Sequence, residues 1–198
     1  MPVAEQRIVL RNCGNVDPFN IDTYLERGGF RAWDKVRNTM SQRQVIDEIK
    51  SSGLRGRGGA GFPTGLKWEL AHKAPGDRKY IICNADEGEI GTFKDKYILE
   101  HDPFSLFEAM IIAGYSIGAR EGYIYLRAEY TYLLDMLQNA LAQVKNRGYP
   151  GGFDIEIKLG AGAYVCGEES ALMESIEGKR GEVRFKPPFP PTSGLWEK

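Results

Sequence analysis

Apolar positions recur along this chain with two periods, and from residue 79 the two alternate. The run KYIICN (79–84) is short and apolar, which predicts a buried strand. Asp102 and Pro103 then supply a cap and a first-turn proline for a helix through Ile117. Leu106, Phe107, Met110, Ile111 and Ala113 share its inner face, and Gly118 stops it. GYIYLRAE (122–129) predicts a second strand. Leu133, Leu134, Leu137, Leu141 and Val144 fall at helical spacing over 131–147, ahead of Gly148 and the turn YPGG. In FDIEIKL (153–159) Phe, Ile, Ile and Leu alternate with Asp, Glu and Lys, as in a half-buried strand. A last helix is predicted near 168–177, stopped by Gly178 before a proline-rich tail. Strands and helices alternating through short connections predict an α/β fold with parallel strands joined by right-handed crossovers. Three such strands make a thin sheet, so the domain reads as truncated at its carboxyl end.

Upstream the periods are weaker. DPFNIDTYLERGG predicts one short helix between Asn20 as N-cap and Gly28 as stop, with Trp33 and Val36 as packing residues beyond it. Residues 1–40 therefore read as an amino-terminal arm, and 41–198 as the main domain. Ser41 and Gln44 form a capping box for a helix over 42–52, in which Val45, Ile46 and Ile49 share a face and which Gly53 ends.

Composition narrows the partners. The chain carries 26 Lys and Arg against 27 Asp and Glu, a net charge of −1, so no global field draws it to nucleic acid or anionic lipid. AMIIAGYSIGA (109–119) is too short to span a bilayer, and MPVAEQRIVL has no basic region followed by an apolar stretch. These features predict a cytoplasmic protein with no direct membrane insertion. Cys13, Cys83 and Cys166 are odd in number and widely spaced, which predicts packed, reduced thiols and assigns no metal ligand.

Candidate chemistry begins with GLRGRGGAGFPTGLKW (53–68), six of whose first thirteen residues are glycine. Glycines let backbone N–H groups approach a ligand closely, and Arg55, Arg57 and Lys67 suit a phosphate or pyrophosphate. GRGGAG (56–61) matches G-x-G-x-x-G, but it follows a helical pattern where the dinucleotide fingerprint requires a strand. A phosphate-binding Walker loop is excluded because Gly65 is followed by Leu66 and Lys67, with Trp68 where Ser or Thr belongs; a kinase loop lacks its partner motifs. A mobile solvated loop is the bland alternative.

Two acidic features sit beyond the predicted strands, where α/β sheets bind ligands. NADEGEIGTFKD (84–95) packs Asn84, Asp86, Glu87 and Glu89 into six positions, and GAGAYVCGEES (160–170) delivers Glu168 and Glu169 to a helix start. Carboxylates repel phosphate and accept hydrogen bonds from a ribose diol. A solvated acidic turn and two helix-dipole partners are the competing readings.

Those stretches, with GAGAYVCGEESALMESIEGKRGEVRFKPPFPP and the amino-terminal DPFNIDTYLERGGF, resemble the NADH-binding flavoprotein subunit of respiratory complex I. The same module serves as the diaphorase subunit of NAD-reducing and electron-bifurcating hydrogenases and of some formate dehydrogenases. The resemblance runs over nearly the whole chain. It implies a Rossmann-like FMN-binding domain that stacks NADH on the flavin, so that hydride passes between cofactors held roughly 3–3.5 Å apart. No protein acid or base is required, and no catalytic side chain is assigned.

Carried over by position, the resemblance gives Gly56, Arg57, Gly58, Gly59 and Lys67 to the loop serving FMN and nucleotide. It gives Asn84 and Asp86 to the ribityl-phosphate side, and Glu87 and Glu89 to the flavin and nicotinamide. Tyr164, Gly167 and Glu168 would line the flavin pocket, and Glu169 would accept the adenosine ribose hydroxyls, favouring NADH over NADPH. Phe62 and Phe189, with Lys186, would flank the adenine. Ile90 stands where the family commonly has proline, and Leu70 where some members place a third aromatic. Family members continue past GLWEK into an asparagine-rich segment, a ubiquitin-like domain and a helical bundle with a [4Fe–4S] cluster. Their absence here implies an incomplete chain that needs iron–sulfur electron-transfer partners in a larger complex, peripheral on the cytoplasmic side of a membrane. A non-catalytic remnant or assembly module that does not hold FMN tightly is the alternative.

Overall fold

Three parallel strands form the centre of the computed structural model, which describes residues 6–198. They are β1 (Tyr80–Ala85), β2 (Glu121–Leu126) and β3 (Asp154–Leu159), side by side in that order. The register runs unbroken from Tyr80 opposite Glu121 and Asp154 to Ala85 opposite Leu126 and Leu159. All three strands therefore end at one level, and the loops that leave them share one edge.

Side-chain alternation sends β2 into two cores. Ile124 and Leu126 join α6 (Pro103–Ile117) and α7 (Leu134–Asn146) on one face. Tyr123 and Tyr125 meet Leu172, Met173 and Ile176 of α8 (Glu169–Ile176) on the other. Burial on both faces is why β2 reads as nearly continuous apolar sequence. The α6 boundaries follow the predicted signals: Asp102 accepts from the Ser105 N–H, Pro103 opens the first turn, and Gly118 closes with φ 80°. The helix predicted over 131–147 is split, because a 3₁₀ turn at Ala128–Leu133 precedes α7 and the Thr131 hydroxyl bonds back to the Ala128 carbonyl.

Residues 16–36, read as part of an arm, pack into the core. Val16, Ile21, Tyr24, Phe30, Trp33 and Val36 belong to the same buried cluster as α6 and α7. Tyr24, on α1 (Ile21–Glu26), lies edge-on to Phe30 at 5.6 Å and stacks on Phe104 at 5.8 Å. Three helices appear that the periods did not predict: α2 (Arg31–Thr39), α4 (Thr64–Lys73) and α5 (Lys94–His101). The predicted capping box opens α3 (Gln42–Ser51). Cys13 and Cys166 are buried and Cys83 is half-buried, all as free thiols. No helix among the described residues is long and apolar enough to cross a membrane.

Candidate functional site

The common edge of the strands brings together residues that are far apart in sequence. Asn84, near the end of β1, donates from Nδ2 to the Gly167 carbonyl at 2.8 Å and accepts the Asp86 N–H at 3.1 Å. One side chain thus ties the acidic loop to the second glycine loop. Gly167 packs closely here, since a Cβ would lie 3.2 Å from the Asp86 carbonyl oxygen and 3.5 Å from its Oδ2. Among the described residues that buried Oδ2 has no hydrogen-bond partner. Burial pushes the Asp86 carboxyl above its usual range, while the Arg127 charge draws it back.

Glu87, which the resemblance gives to the flavin and nicotinamide, makes its carboxylate contacts within the chain. With a side chain only 2% exposed, it accepts from the backbone N–H groups of Asp95 (2.9 Å) and Lys96 (3.1 Å) and from the Tyr130 hydroxyl (3.2 Å). Glu87 therefore caps α5, whose own sequence has no capping side chain. Glu89 is exposed and accepts from the Tyr164 hydroxyl at 3.0 Å, and the Tyr164 ring crowds Gly88, where a Cβ would meet it at 2.8 Å. Arg127, which the sequence reading passed over, closes this turn from β2. Its backbone N–H bonds to Ala85, its guanidinium to the Glu87 carbonyl, and its Nη2 to Glu129 at 2.6 Å.

Glu168 and Glu169 divide their work. Glu168 caps α8, accepting from the N–H groups of Ser170 (2.8 Å) and Ala171 (3.1 Å). Burial alone would raise its carboxyl, but the Lys186 ammonium at 2.7 Å and the capping bonds hold it down to about 2. Glu169 receives Lys186 at 3.0 Å and Lys67 at 3.6 Å. Lys67 lies on α4, directly after the first glycine loop, so Glu169 links the two glycine loops.

That first loop is a standing hairpin. An antiparallel bridge joins Arg55 to Pro63, with Gly56 N–H donating to Phe62 and Thr64 N–H to Leu54, both at 2.9 Å. Arg55 reaches across to the Gly61 carbonyl at 3.0 Å. Gly58 and Gly59 have open space where a Cβ would stand. Arg57 is exposed and has no ion pair among the described residues, and Phe62 and Phe189 present exposed rings.

Two glycine loops, a buried carboxylate oxygen without a partner and lysines over a helix start at one sheet edge make a nucleotide-shaped chemistry. Residues 49–196 match the family described as the Nuo51 FMN-binding domain. The chain belongs to that family. Among relatives of the Nuo51 domain, the NADP-reducing hydrogenase subunit HndC of Solidesulfovibrio fructosivorans is 52% identical over 97% of this chain and 40% of its own length. An NADH-quinone oxidoreductase subunit of Aquifex aeolicus is 54% identical over 90% of this chain and 43% of its own. A crystal structure of NAD+-reducing [NiFe]-hydrogenase in the H2-reduced state superposes with a TM-score of 0.76 and 46% identity. It covers 79% of this chain and 28% of that one. The chain thus spans less than half the length of these relatives.

The edge of this Nuo51 domain fits FMN chemically. Exposed Gly58 and Gly59 beside Arg57 and Lys67 suit a phosphate, and the unpartnered Asp86 Oδ2 is chemically suited to accept from a hydroxyl donor such as a ribityl chain.

Proposed function

We propose that this chain supplies the flavin and dinucleotide site of an NADH dehydrogenase or diaphorase. Electrons would leave for iron–sulfur clusters held elsewhere in a larger complex, peripheral on the cytoplasmic side of a membrane. FMN, when bound, supplies acceptance of hydride from NADH and release of electrons one at a time. The observation that carries the reading is the Asn84 to Gly167 bond, which fixes the loops after β1 and β3 against each other beside the free Oδ2 of Asp86.

In this reading residues 41–198 carry the binding groups. Gly56, Gly58 and Gly59, with Arg57 and Lys67, hold phosphate. Asn84 and Asp86 hold the ribityl side, and Tyr164, Gly167 and Glu168 wall the flavin. Phe62 and Phe189 offer faces to adenine, each contact worth about 0.5–1.5 kcal/mol beyond its area. Glu169 accepts the ribose hydroxyls and repels a 2′-phosphate, and Lys67 and Lys186 fix its carboxylate in place while partly neutralising it. Since one relative is named NADP-reducing, that balance is the part to measure.

An anaerobic absorbance titration tests the whole reading. The chain is loaded with FMN and then given NADH or NADPH. Flavin binding, followed by bleaching at lower NADH than NADPH, is expected, and Glu169→Gln should shift the preference towards NADPH. A folded chain that leaves FMN fluorescence unchanged overturns the reading and leaves the assembly-module alternative.

A further inference from the structure

Residues 184–194 form a strap over the start of α8 that has no regular structure of its own. Phe185 is 97% exposed and Phe189 turns outward, with the Phe189 carbonyl accepting from Thr192 and Ser193. What the strap delivers to the site is Lys186, bonded to Glu168 at 2.7 Å and Glu169 at 3.0 Å. Packing of the strap itself does not explain why Lys186 stands there.

Arg184 does. Its backbone N–H donates to Ser170 Oγ at 2.9 Å, and Ser170 is the residue whose N–H and hydroxyl bond to Glu168. Its guanidinium fans out to three acceptors: the Glu174 carboxylate, Glu177 Oε1 at 2.7 Å, and the Gly194 carbonyl at 2.8 Å. One residue therefore holds the first end of the strap to α8 and grips the last end as well. Glu177 in turn accepts the Trp196 N–H at 2.7 Å, and Leu195 is buried in the α8 core, which anchors the far end. Such a fork needs the planar, multiply donating guanidinium, since an ammonium cannot span three acceptors in fixed directions.

We propose that Arg184 is a positioning residue for the dinucleotide side of the site, acting through Lys186. It staples both ends of the strap so that the Lys186 ammonium is held over Glu168 and Glu169. The proposal rests on the function proposed above and names a residue that neither glycine loop contains. Releasing one end of a closed loop returns conformational freedom to all of it, so Lys186 would sample positions away from the two carboxylates.

The test uses the FMN-loaded chain, with FMN affinity read by fluorescence and half-saturating NADH by anaerobic bleaching. Arg184→Gln is expected to raise half-saturating NADH about tenfold, while FMN affinity changes less than about twofold because Glu168 keeps its bonds from the Ser170 and Ala171 N–H groups. Lys186→Met should raise it similarly, and adding Arg184→Gln to Lys186→Met should change it less than about twofold further, because the two act on one interaction. Should Arg184→Gln fail to fold, Arg184→Lys carries the test, with the same pattern at smaller amplitude. An Arg184 variant that titrates like the parent overturns the proposal. So do FMN and NADH constants that rise together, or effects of the two substitutions that multiply. A parent chain that binds no FMN or does not bleach instead refutes the site reading on which the proposal stands.

Discussion

Asp86 keeps Oδ2 buried without a hydrogen-bond partner among the described residues, an arrangement that costs roughly 1–3 kcal/mol in a protein interior. Burial raises its carboxyl above the ordinary 3.8. The folded chain therefore holds this proton to higher pH than the unfolded chain does. The stability the group contributes is full below 3.8 and is lost as pH rises through the elevated folded value. Asp86→Asn removes that loss. The ligand-free variant should melt higher than the parent at pH 7, converge with it in acid, and bind FMN more weakly, as thermal melts and a fluorescence titration would show. In the proposed site, Asp86 would be a binding group kept at a stability cost. Roles at this scale were only partly legible in sequence. Asn84, Asp86, Glu87 and Glu89 offer one chemistry in six positions, and only the backbone direction sends Glu87 back to α5 while Glu89 stays exposed.

The first glycine loop owes its place to the two helices that flank it, α3 and α4. Glu69 accepts Lys50 at 2.8 Å, Lys73 at 3.0 Å and Arg43 at 2.8 Å, bonds that hold its carboxyl down to about 2. Gly65 lets the helices touch, since a Cβ there would lie 2.6 Å from the Lys50 backbone nitrogen. A depressed carboxyl contributes stability above its ordinary 4.5 that is lost as pH falls through about 2. Glu69→Gln should therefore flatten the acid limb of the stability profile, and the amides of 54–62 should exchange faster at neutral pH. Unchanged exchange there would separate the loop from the helix pair. The elements that sequence revealed are those whose signals are local: the Ser41 capping box, Asp102 and Pro103 before α6, and glycine stops. The helices it missed lack such signals. α5 is capped by Glu87 from the preceding loop, and α2 by Glu108 from α6, whose carboxylate accepts from Phe30 (2.8 Å) and Trp33 (3.0 Å). α4 buries only Gly65 and Glu69, so no apolar stripe marks it.

Glu108 also decides how the molecule behaves as a whole. Its buried carboxylate accepts the Tyr24 hydroxyl at 2.6 Å as well as the Phe30 and Trp33 amides at the start of α2, so α1, α2 and α6 meet at one group. Ser105 bonds to the Tyr24 hydroxyl at 3.2 Å, and Asn12 extends the network to Asp102 at 3.0 Å, which places residues 12–33 on the amino-terminal end of α6. The crossover helix that supports the sheet is therefore folded around the segment that read as an arm. Glu108→Gln keeps the shape but turns an NH₂ towards donors, and leaving buried donors unsatisfied costs about 3 kcal/mol. If the first forty residues are part of one cooperative unit, that loss lowers the midpoint of every probe together. Fluorescence from a variant retaining Trp33 alone, with Trp68 and Trp196 replaced by Phe, would then track far-ultraviolet circular dichroism through one denaturant transition. A separable arm would lose the Trp33 signal first and leave the α/β transition where it was. The shared cluster of Phe30, Trp33, Phe104 and Val144 predicts coincidence. It also predicts that FMN, bound to the folded state at the far edge of the sheet as proposed, raises both midpoints by the same amount.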